Sequence, residues 1–159
     1  MGVAVEVVAV FSEVLAVRKE VNMRLILWLI IHCSAVMPSQ TSSIEQITEW
    51  HTAKGWNGCG YHYVIRRSGD IEVGRPENVV GAHCYNYNRN SIGVCYEGGL
   101  DAKGKPADTR TPELKKAMLN LLTELKKKYP NAVIVGHNEF SNKACPCFDA
   151  ATEYMDLQP

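Results

Sequence analysis

Two short apolar runs, Leu25 to Ile31 and Ala132 to Gly136, each end directly in a histidine, His32 and His137. An apolar run without alternation is what a strand looks like when both of its faces are covered, and such strands belong to parallel or central positions in a sheet. If the two strands are parallel neighbours, both imidazoles emerge at the same carboxyl edge, where open α/β sheets place their sites. Cys145 lies eight residues beyond His137, on a loop short enough to return to that edge. Two imidazoles and a thiolate are sound zinc ligands, and three protein ligands leave a fourth position open, the catalytic rather than the structural arrangement. Taken singly, either histidine reads more simply as a hydrogen-bonded structural residue, and composition and spacing alone leave the zinc site as the lesser of the two readings.

The remaining elements follow from local chemistry. Ser43-Ile44-Glu45-Gln46 has the form of a capping box, opening a helix that should end near Lys54 with Gly55 as its stop. Tyr61 to Arg67 and Ile71 to Gly74 flank Ser68-Gly69-Asp70 and read as a hairpin. Ser91 to Tyr96 is a short strand closed by Gly98-Gly99, and residues 100–111 form a polar loop. Thr111-Pro112-Glu113 supplies a cap, a first-turn proline and a dipole-matched acid. After it Leu114, Ala117, Met118, Leu121, Leu122 and Leu125 recur at helical spacing with lysines opposite them, so the stripe is core and the lysines face solvent. Pro130 ends the helix. Strands alternating with helices give the expected fold class: an α/β single domain with a central mixed β-sheet flanked by helices and the metal site at one edge.

Composition narrows the function. The 159 residues, 46% hydrophobic and 21% charged, suffice for one real core without disulfides. With 17 basic against 17 acidic residues the net charge is zero, which argues against a nucleic-acid partner. The six cysteines show no paired C-x-x-C ladder and read mostly as buried thiols. Among the other histidines, His51 falls on the first helix, where a polar face is the simpler account; His62 alternates with tyrosines on the hairpin, and His83 precedes a loop rich in Tyr and Asn.

Residues 1–22 are apolar but interrupted by Glu6, Glu13 and Glu20, which fits neither a signal peptide nor a membrane span. Gly2 follows the first Met, but Glu6 stands where myristoylation needs Ser or Thr. Met23-Arg24, the apolar run and Cys33-Ser34-Ala35 imitate a short signal peptide, yet cleavage there would remove His32. The expected organisation is therefore an N-terminal extension of unassigned role over 1–22 and a folded domain over 23–159, with no stable membrane association.

From about Met23 to Asp149 the sequence resembles the zinc-dependent N-acetylmuramoyl-L-alanine amidases of the bacteriophage lysozyme type, relatives of the peptidoglycan recognition proteins. The resemblance rests on ordered blocks: Ile30-Ile31-His32-Cys33-Ser34-Ala35, Gly60-Tyr61-His62-Tyr63-Val64-Ile65, Gly81-Ala82-His83 with Asn90-Ser91-Ile92-Gly93-Val94, Gly136-His137-Asn138, and Lys143-Ala144-Cys145-Pro146 with Phe148-Asp149. It implies zinc on His32, His137 and Cys145, a hydrogen-bonding role near the metal for Tyr61, oxyanion stabilisation by Lys143, and a substrate-contact role in the groove for His83. Asn86, Asn88 and Arg89 add polar groups suited to sugar or peptide amides. It also implies peptidoglycan as partner, a monomer, and accumulation in the cytoplasm before release to the wall. Some relatives carry a catalytic Glu where this chain has Cys95, with Glu97 two residues on, so the general base stays open.

Two other functions fit the same residues. A recognition module without catalysis would keep the fold and lose a ligand, usually the cysteine, which is retained here. A thiol amidase would use Cys33 or Cys95 as nucleophile with a histidine as base.

Overall fold

A computed structural model describes residues 24–159, so the expected extension over 1–22 and the boundary at Met23 lie outside the described residues. The elements are β1 (Trp28–Cys33), α1 (Ile44–Ala53), β2 (Tyr63–Ile65), β3 (Ile71–Val73), β4 (Ser91–Tyr96), α2 (Pro112–Lys128), β5 (Val133–Gly136) and α3 (Ala150–Glu153), with short 3-10 turns at Asn88–Asn90, His137–Glu139 and Met155–Leu157. The sheet runs in the order β3-β2-β4-β1-β5. β1 is parallel to both β4 and β5, β2 is parallel to β4, and β3 returns antiparallel at one edge, so the sheet is mixed as expected.

The middle of β1 is apolar because the strand is central and covered on both faces: Leu29, Ile30 and Ile31 have no accessible surface. Leu29, Ile31 and Cys33 face one way, joining Ile92, Val94 and Ile134 under the α2 stripe of Leu114, Met118, Leu122 and Leu125. Ile30 faces the other way with Cys84 and Val135, and His32 shares that second face by the alternation of the strand. Ala117 packs against the first cluster at its margin. Each fully buried Leu or Ile in this arrangement contributes roughly 1.5–3 kcal/mol.

The local signals are realised where they were read. Ser43 accepts from the Gln46 N–H while Gln46 reaches back, Lys54 caps the other end, and Gly55 takes φ +87°. Thr111 caps α2 through the Leu114 N–H, and the helix ends at Lys128, just before Pro130. At the outer edge of β5, the Gln158 side chain both accepts from the Ile134 N–H and donates to the Ile134 carbonyl at 2.8 Å, closing the exposed ladder.

Three expectations need correction. The first strand is Trp28–Cys33 rather than Leu25 to Ile31, and Leu25 and Leu27 are exposed beyond the amino end of the sheet. His32 and Cys33 are therefore strand residues. The regular hairpin ladder pairs only Tyr63–Ile65 with Ile71–Val73; beyond it the two arms stay joined by the Gly74 N–H to the His62 carbonyl and the Arg75 N–H to the Tyr61 carbonyl, without continuing as strands. His51, expected on a polar helix face, is buried.

Candidate metal centre

Because β1 and β5 are parallel and in register from Trp28↔Val133 to Ile31↔Gly136, their next residues, His32 and His137, come out side by side. Their ring centroids are 4.6 Å apart. The loop after β5 returns Cys145 to the same edge, held by the Tyr96 hydroxyl donating to the Pro146 carbonyl at 2.7 Å and by Arg110, which lies 3.4 Å over the Phe148 ring. Ligand atoms of His32, His137 and Cys145 all lie within 4.8 Å of one another. Cys145 Sγ is 3.9 Å from His32 Nδ1 and accepts from the Cys33 backbone N–H at 3.2 Å. Two nitrogens and one sulfur at this spacing are a donor set that suits zinc, with room for a fourth ligand on the open side.

The rings are held in their ligating, neutral form. Burial pushes His32 well below the usual histidine range, and His83, His137 and Lys143 push the same way. Burial and then Lys143 lower His137. Burial, with His62 next, takes His83 down to about 3.

The cluster forms the floor of an open cleft of about 350 Å³ whose walls include Trp50, Trp56, Tyr61, His83 and Lys143. The Tyr61 ring stands 5.1 Å from that of His32, and burial lifts its hydroxyl well above the ordinary tyrosine value, so it remains a donor. A larger hollow of about 420 Å³ near Arg24 and Tyr129 lies at the amino end of β1, away from these groups.

The structure thus brings His32, His137, Cys145, Tyr61, Lys143 and His83 around one cleft. Both ring nitrogens of His83, however, face protein atoms: Nδ1 is 2.9 Å from His32 Nε2 and Nε2 is 3.2 Å from Ser91 Oγ. Asn88 is also used internally, its Oδ1 accepting from the His83 and Cys84 amides at 2.9 Å. Glu97 is buried away from the site, accepting from the Ser42 and Arg67 amides and from Arg66 Nε. His51, read from the sequence as polar helix face, instead accepts from the Gly60 N–H at Nδ1 at 2.8 Å and ties the following loop to α1, and Trp50 and Trp56, which also line the cleft, had no place in the sequence reading. Nothing local marks these; the aromatic at Trp56 just past the helix stop is the nearest thing to a signal.

The six cysteines are free thiols. Cys95 is fully buried and its thiol pushed well up by that burial, and Cys33 is raised by its hydrogen bond with Cys145 and by burial, which disfavours the thiolate a cysteine nucleophile needs. Cys147 does not join the ligand cluster; its Sγ lies 4.0 Å from that of Cys33.

An α/β sheet with two imidazoles and a thiol at its carboxyl edge, opening on a cleft, has the build of a hydrolase domain with a candidate metal centre. The family model for N-acetylmuramoyl-L-alanine amidase matches residues 22–148, and the chain belongs to that family. It is 47% identical over 119 residues to the endolysin of Escherichia phage T7, covering 75% of this chain and 79% of that one. Among solved structures it is similar to the N-acetylmuramoyl-L-alanine amidase LysC from Clostridium intestinale URNW, with TM-score 0.70, 28% identity and 85% of each chain covered. It is also similar to Drosophila PGRP-LB, with TM-score 0.68, 26% identity, and 82% and 80% of the two chains covered. No helix among the described residues is long and apolar enough to cross a membrane.

Proposed function

We propose that this protein hydrolyses the amide between N-acetylmuramic acid and the L-alanine that begins the peptidoglycan stem peptide, with zinc held by His32, His137 and Cys145. The observation that carries the reading is the convergence of those three ligand atoms, within 4.8 Å of one another, on the floor of an open cleft. Zinc held there would supply Lewis-acid chemistry, lowering the pKa of a water toward ~7 and polarising a carbonyl oxygen.

The chain's own groups supply the rest. Neutral His32 and His137 present lone pairs and Cys145 its sulfur. Tyr61, protonated at working pH, donates a hydrogen bond near the reacting oxygen. Lys143, on the cleft wall, places an ammonium against the negative charge that grows on the scissile carbonyl oxygen, a contribution of about 3 kcal/mol by analogy with other oxyanion donors. Water is consumed across the C–N bond, leaving a carboxylate on the lactyl group and a free amine on L-alanine. The retained Cys145 favours this over a binding module, and the buried thiols of Cys33 and Cys95 disfavour the thiol enzyme. Similarity to a phage endolysin supports a protein that accumulates in the cytoplasm and acts once it reaches the wall.

The test is release of new L-alanine amino termini from purified peptidoglycan by protein as isolated, with chelator, and with zinc restored. Chelator-sensitive release that zinc rescues is expected. Folded protein that releases nothing would overturn the reading in favour of a binding module, and release that survives chelator would overturn the metal.

A further inference from the structure

The imidazole of His83, from the loop before β4, packs against the sheet at Gly93. Its ring crosses that of His32 edge-on, with centroids 4.9 Å apart and planes at 89°, and its Nδ1 sits 2.9 Å from His32 Nε2. On the far side its Nε2 meets Ser91 Oγ at 3.2 Å. The backbone is fixed as well, since the His83 N–H donates to Asn88 Oδ1.

Two glycines make room for the ring. A Cβ added at Gly93 would come within 2.6 Å of His83 Cδ2, and one added at Gly81 within 2.7 Å of the same atom. Gly93 lies inside the buried strand β4, between Ile92 and Val94, where a glycine weakens a strand and marks a close approach. The close approach here is the imidazole of His83.

One proton lies between His32 Nε2 and His83 Nδ1, and it can belong to either ring. If it belongs to His83, the proton of neutral His32 sits on Nδ1, pointing at Cys145 and blocking the ligand lone pair. If it belongs to His32, the bonds run in one direction, from His32 Nε2–H to His83 Nδ1 and from His83 Nε2–H to Ser91 Oγ, and His32 Nδ1 is free beside Cys145 Sγ. Ligating histidines generally have their second nitrogen fixed in this way by an outer partner, most often a carboxylate or carbonyl. Here an imidazole stands in that place.

We infer that His83 is a positioning residue, seated in a slot made by Gly81 and Gly93, that holds His32 in the tautomer and orientation whose Nδ1 lone pair faces the metal site. The inference rests on the zinc reading above and gives His83 a different task from a contact with substrate.

The experiment is the zinc dissociation constant of the full chain, measured by competition with a chromophoric chelator, for wild type, His83→Ala and His83→Asn, with thermal unfolding recorded for each. His83→Ala is expected to bind zinc about 10–100-fold more weakly. His83→Asn, whose carbonyl oxygen takes the place of Nδ1 as acceptor, is expected to recover most of that loss, which a merely space-filling role would not produce. Equal affinity in wild type and His83→Ala overturns the inference, as does an equal loss in Ala and Asn variants that are both folded. Nitrogen NMR of His32 in the metal-free chain gives a second readout, with the proton on Nε2 in wild type and shared between both nitrogens in His83→Ala. If wild type takes up no zinc, the metal reading fails, and the His32 tautomer still decides the positioning role: a proton on Nδ1 in wild type overturns it.

Discussion

His62 has no accessible surface, and its two nitrogens have fixed partners. Nδ1 accepts from the Gly93 N–H at 3.0 Å, so the proton of the neutral ring sits on Nε2 and donates to the Val79 carbonyl at 2.8 Å. A second proton on Nδ1 would set two N–H groups against each other and place a charge beside Arg24, whose Nη2 lies 3.1 Å from Nε2. Burial is the main reason the ring is pushed down to about 4, with the Val79 carbonyl opposing and Arg24 adding to the shift. In the unfolded chain the same ring titrates near 6.5. The unfolded state therefore binds a proton that the folded state refuses, and the stability His62 contributes is complete above pH 6.5, declines as pH falls towards 4, and changes no further below that. Between pH 7.5 and 5.5 the linkage amounts to about 1.4 kcal/mol for this one ring. Replacing His62 with Asn keeps an acceptor for Gly93 and removes the titration. Urea unfolding in excess chelator, so that metal loss does not enter, should show wild type losing about 1.4 kcal/mol more than His62→Asn over that interval. The variant's lower starting stability cancels in the comparison. Equal losses in the two proteins would refute a ring held neutral by Gly93 and Val79.

Two further outcomes test the frame around the site. The Arg110 side chain is wholly buried, 2.6 Å from Glu153, 2.9 Å from Asp108 and stacked on Phe148, so Arg110→Ala should lower unfolding free energy by about 2–3 kcal/mol in urea titration, less than for a fully enclosed pair because both acids are partly exposed. Leu122→Ala, at a position with no exposure, should cost about 3 kcal/mol, while Leu119→Ala on the exposed side of the same helix should change the urea midpoint little; similar effects from both would mean the helix face is misassigned.

What could be read from the sequence was what is local. The capping box at Ser43 and Gln46, the proline start of α2 and the strand from Ser91 to Tyr96 depend on neighbours a few residues away, and each falls where its chemistry places it. The convergence of His32 with His137 needed one step more, the rule that parallel strands present the same edge, and the sheet order with β1 beside β5 supplies it. The limits of β1 were misjudged because they are set by its partners: β4 begins at Ser91 and β5 at Val133, leaving Leu25 and Leu27 beyond the covered zone although they are as apolar as the rest. His51 reads as polar surface by its helix position, and only the return of Gly60 to its Nδ1 makes it internal. The use of both His83 nitrogens depends on Ser91 and on His32, 51 residues away, and no spacing rule reaches that far.

The placement of β1 also governs how the molecule comes into being. Its neighbours are β4 and β5, and the bond partners His32 and Cys145 are 113 residues apart. During synthesis β1 emerges before both of its partners, and its edges stay unpaired until Ser91–Tyr96 and then Val133–Gly136 have emerged. Contacts of such long sequence separation make folding slow compared with a helical bundle of the same size. The three candidate ligands can meet only after the chain has emerged through Cys145, beyond β5, so a nascent chain has no complete candidate metal site until every strand of the described sheet is available.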